Sequence, residues 1–495
     1  MSAATADCLA GRVTINTLPD DVLLRIFHFN RVAYLDGLED VDRLWRLSCR
    51  WHRSVHVCQR WHQLVHVCRR WRCVVFASPN YLDLKLVCGP RTRVELTGIW
   101  PSLPIIIRNV VDFPMPEDYD FDAAIVHYSR VCEINLLRLN RSQFPRLALA
   151  MQQQFPALAH LMLGYLDASC PPAALPDGFL GGSAPALQSL RLHSVPFPAL
   201  PKILLSATHL VNLSLVAIPH HGYVSPEAMA VGLAASANLK SLIIEFKSPQ
   251  SRPDRASRRP PPAARIVLPA LTWFTFEGTS EYLEGFTAQI DAPVLESVWI
   301  NFFHQLLFDI PELGKFLGRT AKFQTVNEAH VDFDYYGVQV ESLPPTRNLD
   351  DKSRLRISCR ELDWQLSSVV QIFPAFFPSI YKVEHLYIYG PQYLPLQWQD
   401  DIEDVQWLEV IHPFTSVKNF YASREFTECV APALQELVRE RVTEVLPGLE
   451  SLFLENLQQS GPVHEAIGKF ASRRQFSGHP ITVSTWEKDQ GKEWS

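Results

Sequence analysis

The sequence predicts an α/β protein in which a small helical module precedes a long repetitive array built from a parallel sheet with outer helices. Two observations indicate this organisation. Apolar residues recur at helical spacing before residue 80, and short leucine-rich segments then recur at intervals of 23 to 34 residues. The chain has 495 residues, of which 47% are apolar and 20% charged, so it can bury a large core. We expect one long domain with a smaller attachment, or two to three domains.

Composition excludes several classes of function. The net charge is -6, from 46 basic and 52 acidic residues, which leaves no excess of cations to coat phosphates, so no nucleic acid partner is expected. No run approaches the roughly 18 apolar residues of a membrane span, and the first residues lack the apolar core of a secretory signal. Ten cysteines are too few for a disulfide scaffold in a chain of this length. We therefore expect reduced thiols, no membrane partner and an intracellular location, either cytoplasmic or nuclear.

The first predicted helix lies in the segment NTLPDDVLLRIFHF. Thr17 is a candidate N-cap, and Asp20 and Asp21 fall in the first turn, where carboxylates interact favourably with the positive end of the helix dipole. The apolar residues on its predicted buried face are Val22, Leu23, Ile26 and Phe27.

A second helix is predicted from Ser54 onward and is ended by Pro79. Its apolar and small residues are spaced by threes and fours, which is typical of one stripe of an amphipathic helix. The stripe comprises Val57, Cys58, Trp61, Leu64, Val65, Cys68, Trp71 and Val75.

This second helix contains a tandem repeat, because WHRSVHVCQR is followed directly by WHQLVHVCRR and then by a further Trp. Ten residues turn a helix by about 1000°, roughly 80° short of three full turns. Trp51, Trp61 and Trp71 therefore cannot lie on one line of the helix.

The two helices together resemble an F-box, a helical module that opens with Leu-Pro and closes with a V-x-x-x-W helix. The string HVCRRWRCVVFASP is particularly similar to F-box proteins of large basidiomycete fungal families. The resemblance covers residues 16–80 and implies docking on a Skp-type adaptor, and through it on a cullin-RING ubiquitin ligase of the SCF type. The adaptor-binding residues that it implies are Leu18, Pro19, Ile26, Phe27, Leu64, Val67, Cys68 and Trp71.

The spacing departs from that of the family. The usual distance from Leu-Pro to the closing Trp falls nearest Trp51, whereas the best closing motif surrounds Trp71. An in-frame duplication of WHRSVHVCQR explains the difference and leaves open which copy faces the adaptor.

A zinc site is an alternative reading of the same stretch. Cys58, His62 and His66 are spaced i, i+4 and i+8, and thiolate and imidazole are preferred zinc ligands. These three positions drift around the helix and need a fourth ligand, and neither CxxC nor HExxH is present. We favour cysteines in the core and solvated histidines, and expect no metal and no cofactor.

Twelve segments of the form LxxLxL, or weaker copies of it, follow this module. One strand and one helix in each interval predict a leucine-rich-repeat solenoid, in which leucines point inward and the residues between them point outward. Ser225 and Pro226, for example, cap and begin one such helix. The alternative of scattered leucines in an ordinary α/β enzyme does not account for twelve such units. The segments start at residues 131, 158, 187, 210, 239, 271, 295, 326, 352, 383, 417 and 449.

Further segments complete the predicted organisation. Residues 81–130 read as two strands and a helix that cap the solenoid, and SPQSRPDRASRRPPPAAR, with five arginines and five prolines, reads as a mobile surface loop or a basic docking patch. The predicted divisions are a tail at 1–15, the F-box at 16–80, the cap at 81–130, the solenoid at 131–460 with the loop at 248–265, and a tail at 461–495.

No catalytic motif is present in the sequence. GFLGGSAP lacks the lysine of a P-loop, and HEAIG lacks the second histidine of a metalloprotease. The combination of motifs predicts a substrate receptor of an SCF-type ligase that is not itself an enzyme; the alternatives are a leucine-rich-repeat scaffold outside any ligase and, more weakly, an α/β ligand-binding protein or enzyme. Outward aromatic residues in the C-terminal half predict the site for an unknown protein target, unless the tail covers them. These residues are Trp273, Trp299, Tyr387, Tyr389 and Phe453.

Overall fold

The structure is a computed structural model of the full chain, and part of that chain is described here. The chain divides into two compact units, Met1–Leu139 with Phe155–Leu158, and Asn140–Gln154 with Ala159–Ser495. The described residues are 17–35, 67–78, 85–88, 103–109, 122–166, 172–253, 264–343, 353–359, 362–376, 380–390, 404–437, 441–456 and 460–487.

The described residues of the first unit include three α-helices and a small parallel sheet. The three consecutive isoleucines of PIIIRNV are all buried, which is typical of a strand covered on both faces. The strands pair in the order β1-β2-β3. The elements are α1 (Asp20–Leu35), α2 (Arg69–Ala77), β1 (Leu86–Cys88), β2 (Ile105–Arg108), α3 (Asp122–Ile125) and β3 (Val131–Leu139).

The predicted helix from Ser54 to Pro79 is not continuous. Cys68 is extended, with φ -157° and ψ 168°, and it caps α2, which begins at Arg69. Its Sγ accepts a hydrogen bond from the N–H of Trp71 at 3.4 Å. Apolar periodicity alone does not detect an interruption of one residue.

The second unit consists mainly of alternating strands and helices. Its strands are β4 (His160–Tyr165), β5 (Ser189–His193), β6 (Asn212–Ile218), β7 (Ser241–Phe246), β8 (Ile266–Val267), β9 (Trp273–Gly278), β10 (Ile290–Asp291), β11 (Ser297–Phe303), β12 (Glu328–Asp334), β13 (Gly337–Leu343), β14 (Ser353–Ser358), β15 (His385–Tyr389), β16 (Asn419–Ala422), β17 (Ser451–Glu455) and β18 (Thr482–Trp486). Its helices are α4 (Gln143–Ala150), α5 (Leu200–Ser206), α6 (Pro226–Leu233), α7 (Ser280–Thr287), α8 (Pro311–Arg319), α9 (Leu362–Phe376), α10 (Asp404–Ile411), α11 (Arg424–Glu436), α12 (Arg441–Glu444) and α13 (Pro462–Phe476).

The main sheet of this unit has the strand order β4-β5-β6-β7-β9-β11-β14-β13-β12-β15-β16-β17-β18, and β8 pairs with β10 separately. Each of the twelve segments predicted from the LxxLxL spacing contains a strand, from β3 in the first unit to β17 in the second. The prediction of a large, mainly parallel sheet with outer helices is confirmed. Ser225 and Pro226 also have their predicted roles, since the Ser225 hydroxyl accepts from the N–H of Ala228 at 3.2 Å and α6 starts at Pro226.

One hairpin interrupts the regular order of the repeats. β14 pairs with β11, β12 pairs with β15, and β13 lies antiparallel between β12 and β14. The turn into β13 requires Gly337, because a Cβ there would lie 2.0 Å from the main-chain oxygen of Ile357. This part of the chain therefore does not form a purely parallel array in which each repeat lies beside the next one in sequence.

The C-terminal residues add a further helix and strand. α13 packs against α11, and β18 pairs in parallel with β17. Residues 461–487 thus extend the sheet by one strand, where the sequence suggested a tail.

Candidate binding surface

The face of the main sheet opposite the helices is the candidate site, and we call it the open face. On β15, Leu386 and Ile388 are fully buried, while His385 and Tyr387, which alternate with them, are half-buried. The same alternation on the other strands follows from the two-residue period of a strand. The LxxLxL leucines therefore hold the strands against the helices and leave the intervening side chains on the open face.

A single row of side chains crosses seven neighbouring strands of the open face in register. Four of its members stack with nearly parallel rings: the centroids of His330 and Tyr387 are 4.4 Å apart, those of Tyr387 and Tyr421 4.2 Å, and those of Tyr421 and Phe453 4.5 Å. We call these four residues the aromatic ladder. The whole row consists of Trp299, Arg354, Glu341, His330, Tyr387, Tyr421 and Phe453.

The other half of the row is polar. The Arg354 guanidinium lies over the Trp299 ring, 5.2 Å from its centroid, and Arg354 Nε donates to Glu341 Oε1 at 2.6 Å. Gln339 donates to the same carboxylate at 3.0 Å. These contacts fix the orientation of Trp299 and Arg354 beside the ladder, because charge-assisted hydrogen bonds and cation–π contacts are directional.

Stacking determines what the ladder presents to a partner. Because the ring faces contact one another within the ladder, the half-buried Tyr387 and Tyr421 can present only their ring edges to a partner. Trp486 on β18 stands edge-on to Tyr421, with centroids 5.7 Å apart, and its indole N–H donates to the main-chain oxygen of Ala422 at 3.2 Å. Its ring centroid also lies 6.3 Å from those of Tyr387 and Tyr389, so Trp486 reaches back across the sheet and covers part of the ladder.

The five predicted target-binding residues all lie on the open face, with different degrees of exposure. Trp299 is the most accessible, at 39% of its surface, and Trp273, Tyr387 and Phe453 are half-buried. Tyr389 is only 8% exposed, and burial together with Tyr387 and Asp332 raises the pKa of its hydroxyl. Tyr389 therefore supports its neighbours and presents little surface of its own.

Sequence reasoning missed three aromatic or imidazole side chains of this surface. His330 and Tyr421 occupy the same outward position in their repeats as Tyr387 does, so the outward rule would have found them in the weaker repeats. Trp486 had no such signal, because β18 lacks the leucine pattern. The C-terminal segment 461–495, which could have covered the predicted target-binding residues, contributes Trp486 to this surface and leaves Trp299 exposed.

The predicted adaptor-binding residues of the first unit divide into a packed pair and an exposed set. Phe27 and Trp71 are buried against each other, with ring centroids 4.9 Å apart, and Arg70 joins α2 to α1 through Asp20 at 2.7 Å. Ile26 is 40% exposed, although the sequence placed it on the buried face, and Val67 is 57% exposed.

The remaining predicted residues of this module are less exposed or not described. Pro19 is exposed, while Leu18 and Cys68 are half-buried. Leu64, the zinc candidates Cys58, His62 and His66, and most of the duplicated decapeptides lie outside the described residues, as do residues 254–263 of the predicted basic loop.

The described residues contain neither a candidate metal site nor a candidate membrane span. No group of three or more His, Cys, Asp or Glu side chains in the described part of the chain is arranged to hold a metal ion. None of the described helices combines the length and apolar character needed to cross a bilayer.

No protein-family model matches the sequence, and no curated protein matches it. Among solved structures, the chain is similar to the leucine-rich repeat-containing protein LegL7 from Legionella pneumophila, at 14% identity and a TM-score of 0.24, over 79% of this chain and 98% of that one.

Proposed function

We propose that this protein is a non-catalytic receptor whose open face binds a protein target. The row from Trp299 to Phe453 is the observation that carries the proposal. It places an exposed tryptophan, half-buried aromatic rings and an oriented arginine on one continuous surface, and such side chains supply most of the binding energy in protein interfaces. The rigid sheet beneath them limits the entropy lost on binding.

We propose further that α1 and α2 dock on a Skp-type adaptor, which would make the protein the substrate-recognition subunit of an SCF-type ubiquitin ligase. The resemblance of residues 16–80 to an F-box motivates this step. The exposed apolar side chains of Ile26 and Val67, beside the packed Phe27–Trp71 pair, support it. The receptor would then act by proximity, holding the target while the ligase transfers ubiquitin.

The target site is tested by replacing Trp299, Tyr387 and Phe453 together with alanine. The matched control replaces Leu205, Val231 and Val294, which are also large and exposed but lie outside the row. We expect proximity labelling in cells to lose a discrete set of proteins with the first variant and to retain it with the control. Equal labelling by two folded variants would contradict the assignment of the open face.

Adaptor docking is tested by Ile26→Ser combined with Val67→Ser, because both side chains are exposed and their loss leaves the packed pair intact. The control is Val126→Ser combined with Leu149→Ser, each 70% exposed. We expect the first variant alone to lose co-purification with the adaptor. If the wild-type chain captures its targets but no adaptor, the protein is a repeat scaffold that acts outside a ligase.

A further inference from the structure

We infer that the target segment that docks on the open face is basic, an extended run with lysine or arginine at alternate positions. This inference rests on the proposed function, because it specifies the chemistry of the partner for the same surface. The distribution of charge on the strands is the first observation behind it.

Charge on the main sheet from β7 to β18 is strongly unequal. Arg354 and Arg356 are the only basic side chains of these described strands, and each already pairs with a carboxylate, Glu341 at 2.6 Å and Asp334 at 2.8 Å. The acidic side chains of the same strands all lie on the open face. They are Glu245, Glu277, Glu328, Asp332, Asp334, Glu341 and Glu455. The surplus is therefore acidic and lies beside the aromatic row.

Two of these carboxylates face each other directly. Glu245 and Glu277 are register partners on the neighbouring parallel strands β7 and β9. Burial and the charge of Glu277 raise the pKa of Glu245, while Arg191 lowers it. Like charges on opposite residues destabilise a sheet, and a cation from a partner placed between them would relieve that repulsion.

The aromatic row complements a basic segment. A tyrosine hydroxyl can accept a hydrogen bond from an ammonium or guanidinium group, and the aliphatic stems of lysine and arginine can pack against the ring edges of Tyr387 and Tyr421. Asp332 and Glu455 lie close enough to this end of the row for their charges to raise the pKa of Tyr389. Cationic side chains would thus find carboxylates at both ends of the row and apolar contact between them.

The span of the carboxylates gives the length of the segment. Eight strand-to-strand steps separate β7 from β17 in the sheet order. At about 4.8 Å per step the distance is about 38 Å, which an extended chain of about 12 residues covers at about 3.3 Å per residue.

The experiment uses the full-length protein and labelled twelve-residue peptides with alternating Lys-Ser or Glu-Ser, measured by fluorescence anisotropy. The face variant carries Glu245→Gln, Glu277→Gln, Asp332→Asn and Glu455→Gln. The control carries the same change of charge away from the open face, at Asp177→Asn, Glu428→Gln, Glu436→Gln and Glu465→Gln. We expect the Lys-Ser peptide to bind the face variant at least about tenfold more weakly, and the control within about twofold of wild type.

A second measurement does not depend on any variant folding. A four-residue Lys-Ser peptide spans only two or three strands, so the wild-type protein should bind it at least about tenfold more weakly than the twelve-residue peptide. Equal binding of the basic and acidic peptides, or an equal loss in the control variant, would overturn the inference.

This inference and the proposed function fail in different ways. If the triple alanine variant loses its targets but wild type shows no preference for the basic peptide, the open face is still the target site, and the inference of a basic target segment is wrong. If the peptide preference depends on the four carboxylates while target labelling survives the triple variant, the open face binds basic segments but is not the target site.

Discussion

The carboxylate of Glu284, near the middle of α7, accepts a hydrogen bond from the backbone N–H of Leu313 at 2.8 Å, in the first turn of α8. It also accepts from the N–H of Glu312 at 3.0 Å. One side chain thus satisfies two of the unpaired donors at the start of the next helix, and joins two consecutive repeats.

Glu284 makes stability depend on pH. Burial raises its pKa to about 7, against the lowering effect of the two N–H donors. A carboxyl whose folded pKa exceeds its unfolded value stabilises the fold below the unfolded pKa, and this contribution disappears as pH rises through the folded pKa. We expect thermal stability to fall between about pH 4.5 and 7, by up to about 3 kcal/mol from this group.

Glu284→Gln should remove that part of the pH dependence, because an amide does not titrate. The control is Glu436→Gln, at an exposed position on α11. Thermal unfolding at pH 5, 6, 7 and 8 gives the comparison. Parallel profiles for Glu284→Gln and wild type would show that this carboxyl does not titrate in the window.

Arg474 should hold the C-terminal helix in place. Its side chain is fully buried, and Nη1 donates to the main-chain oxygens of Val442 at 3.1 Å and Val445 at 3.2 Å. Burial lowers the pKa of the guanidinium. Arg474→Met keeps the apolar stem but leaves these carbonyls without their donor, which should cost about 2 to 4 kcal/mol. Hydrogen exchange should then accelerate in α13 and β18, whereas Lys469→Met on the exposed side should leave it unchanged.

Much of this architecture follows from the sequence because one pattern repeats. An apolar residue is needed at alternate strand positions wherever a strand packs on a helix, so Leu386 and Leu452 identify their strands and also the outward position of Tyr387 and Phe453. The same alternation gives the outward position of Tyr421. Its strand is harder to recognise, because the inward residues beside Tyr421 are Phe420 and Ala422 and not leucines.

The hairpin and the last strand could not be predicted in the same way. β13 alternates Val338 and Val340 with polar residues, which identifies a strand but not its antiparallel direction or its neighbours. The turn depends on the contact of Gly337 with Ile357, which is distant in sequence. Ile26 was misplaced because helical spacing gives the width of the apolar stripe but not which part of it a partner helix covers.

Trp71 should be the tryptophan that closes the N-terminal module, since it packs edge to face on Phe27. Trp71→Ala removes a buried ring and should cost about 3 to 5 kcal/mol, with loss of adaptor binding. Deleting residues 51–60 should keep binding, because the second copy supplies the same side chains ahead of Trp71. Co-purification of the two variants with the adaptor makes the comparison, and loss of binding in the deletion variant would assign the anchor to the first copy.

The stacked rings should stabilise one another as well as bind. Tyr387 and Tyr421 lie 4.2 Å apart on neighbouring strands, and parallel aromatic contacts of this kind contribute about 0.5 to 1.5 kcal/mol beyond the area they bury. A double-mutant cycle with Tyr387→Leu and Tyr421→Leu, followed by urea unfolding, should therefore give a coupling energy of about 1 kcal/mol. Tyr387→Leu combined with Trp299→Leu should be additive, because four strand-to-strand steps separate these side chains. A coupling energy near zero for the Tyr387 and Tyr421 pair would mean that the rings are only neighbours, and the ladder would then be a set of independent contacts.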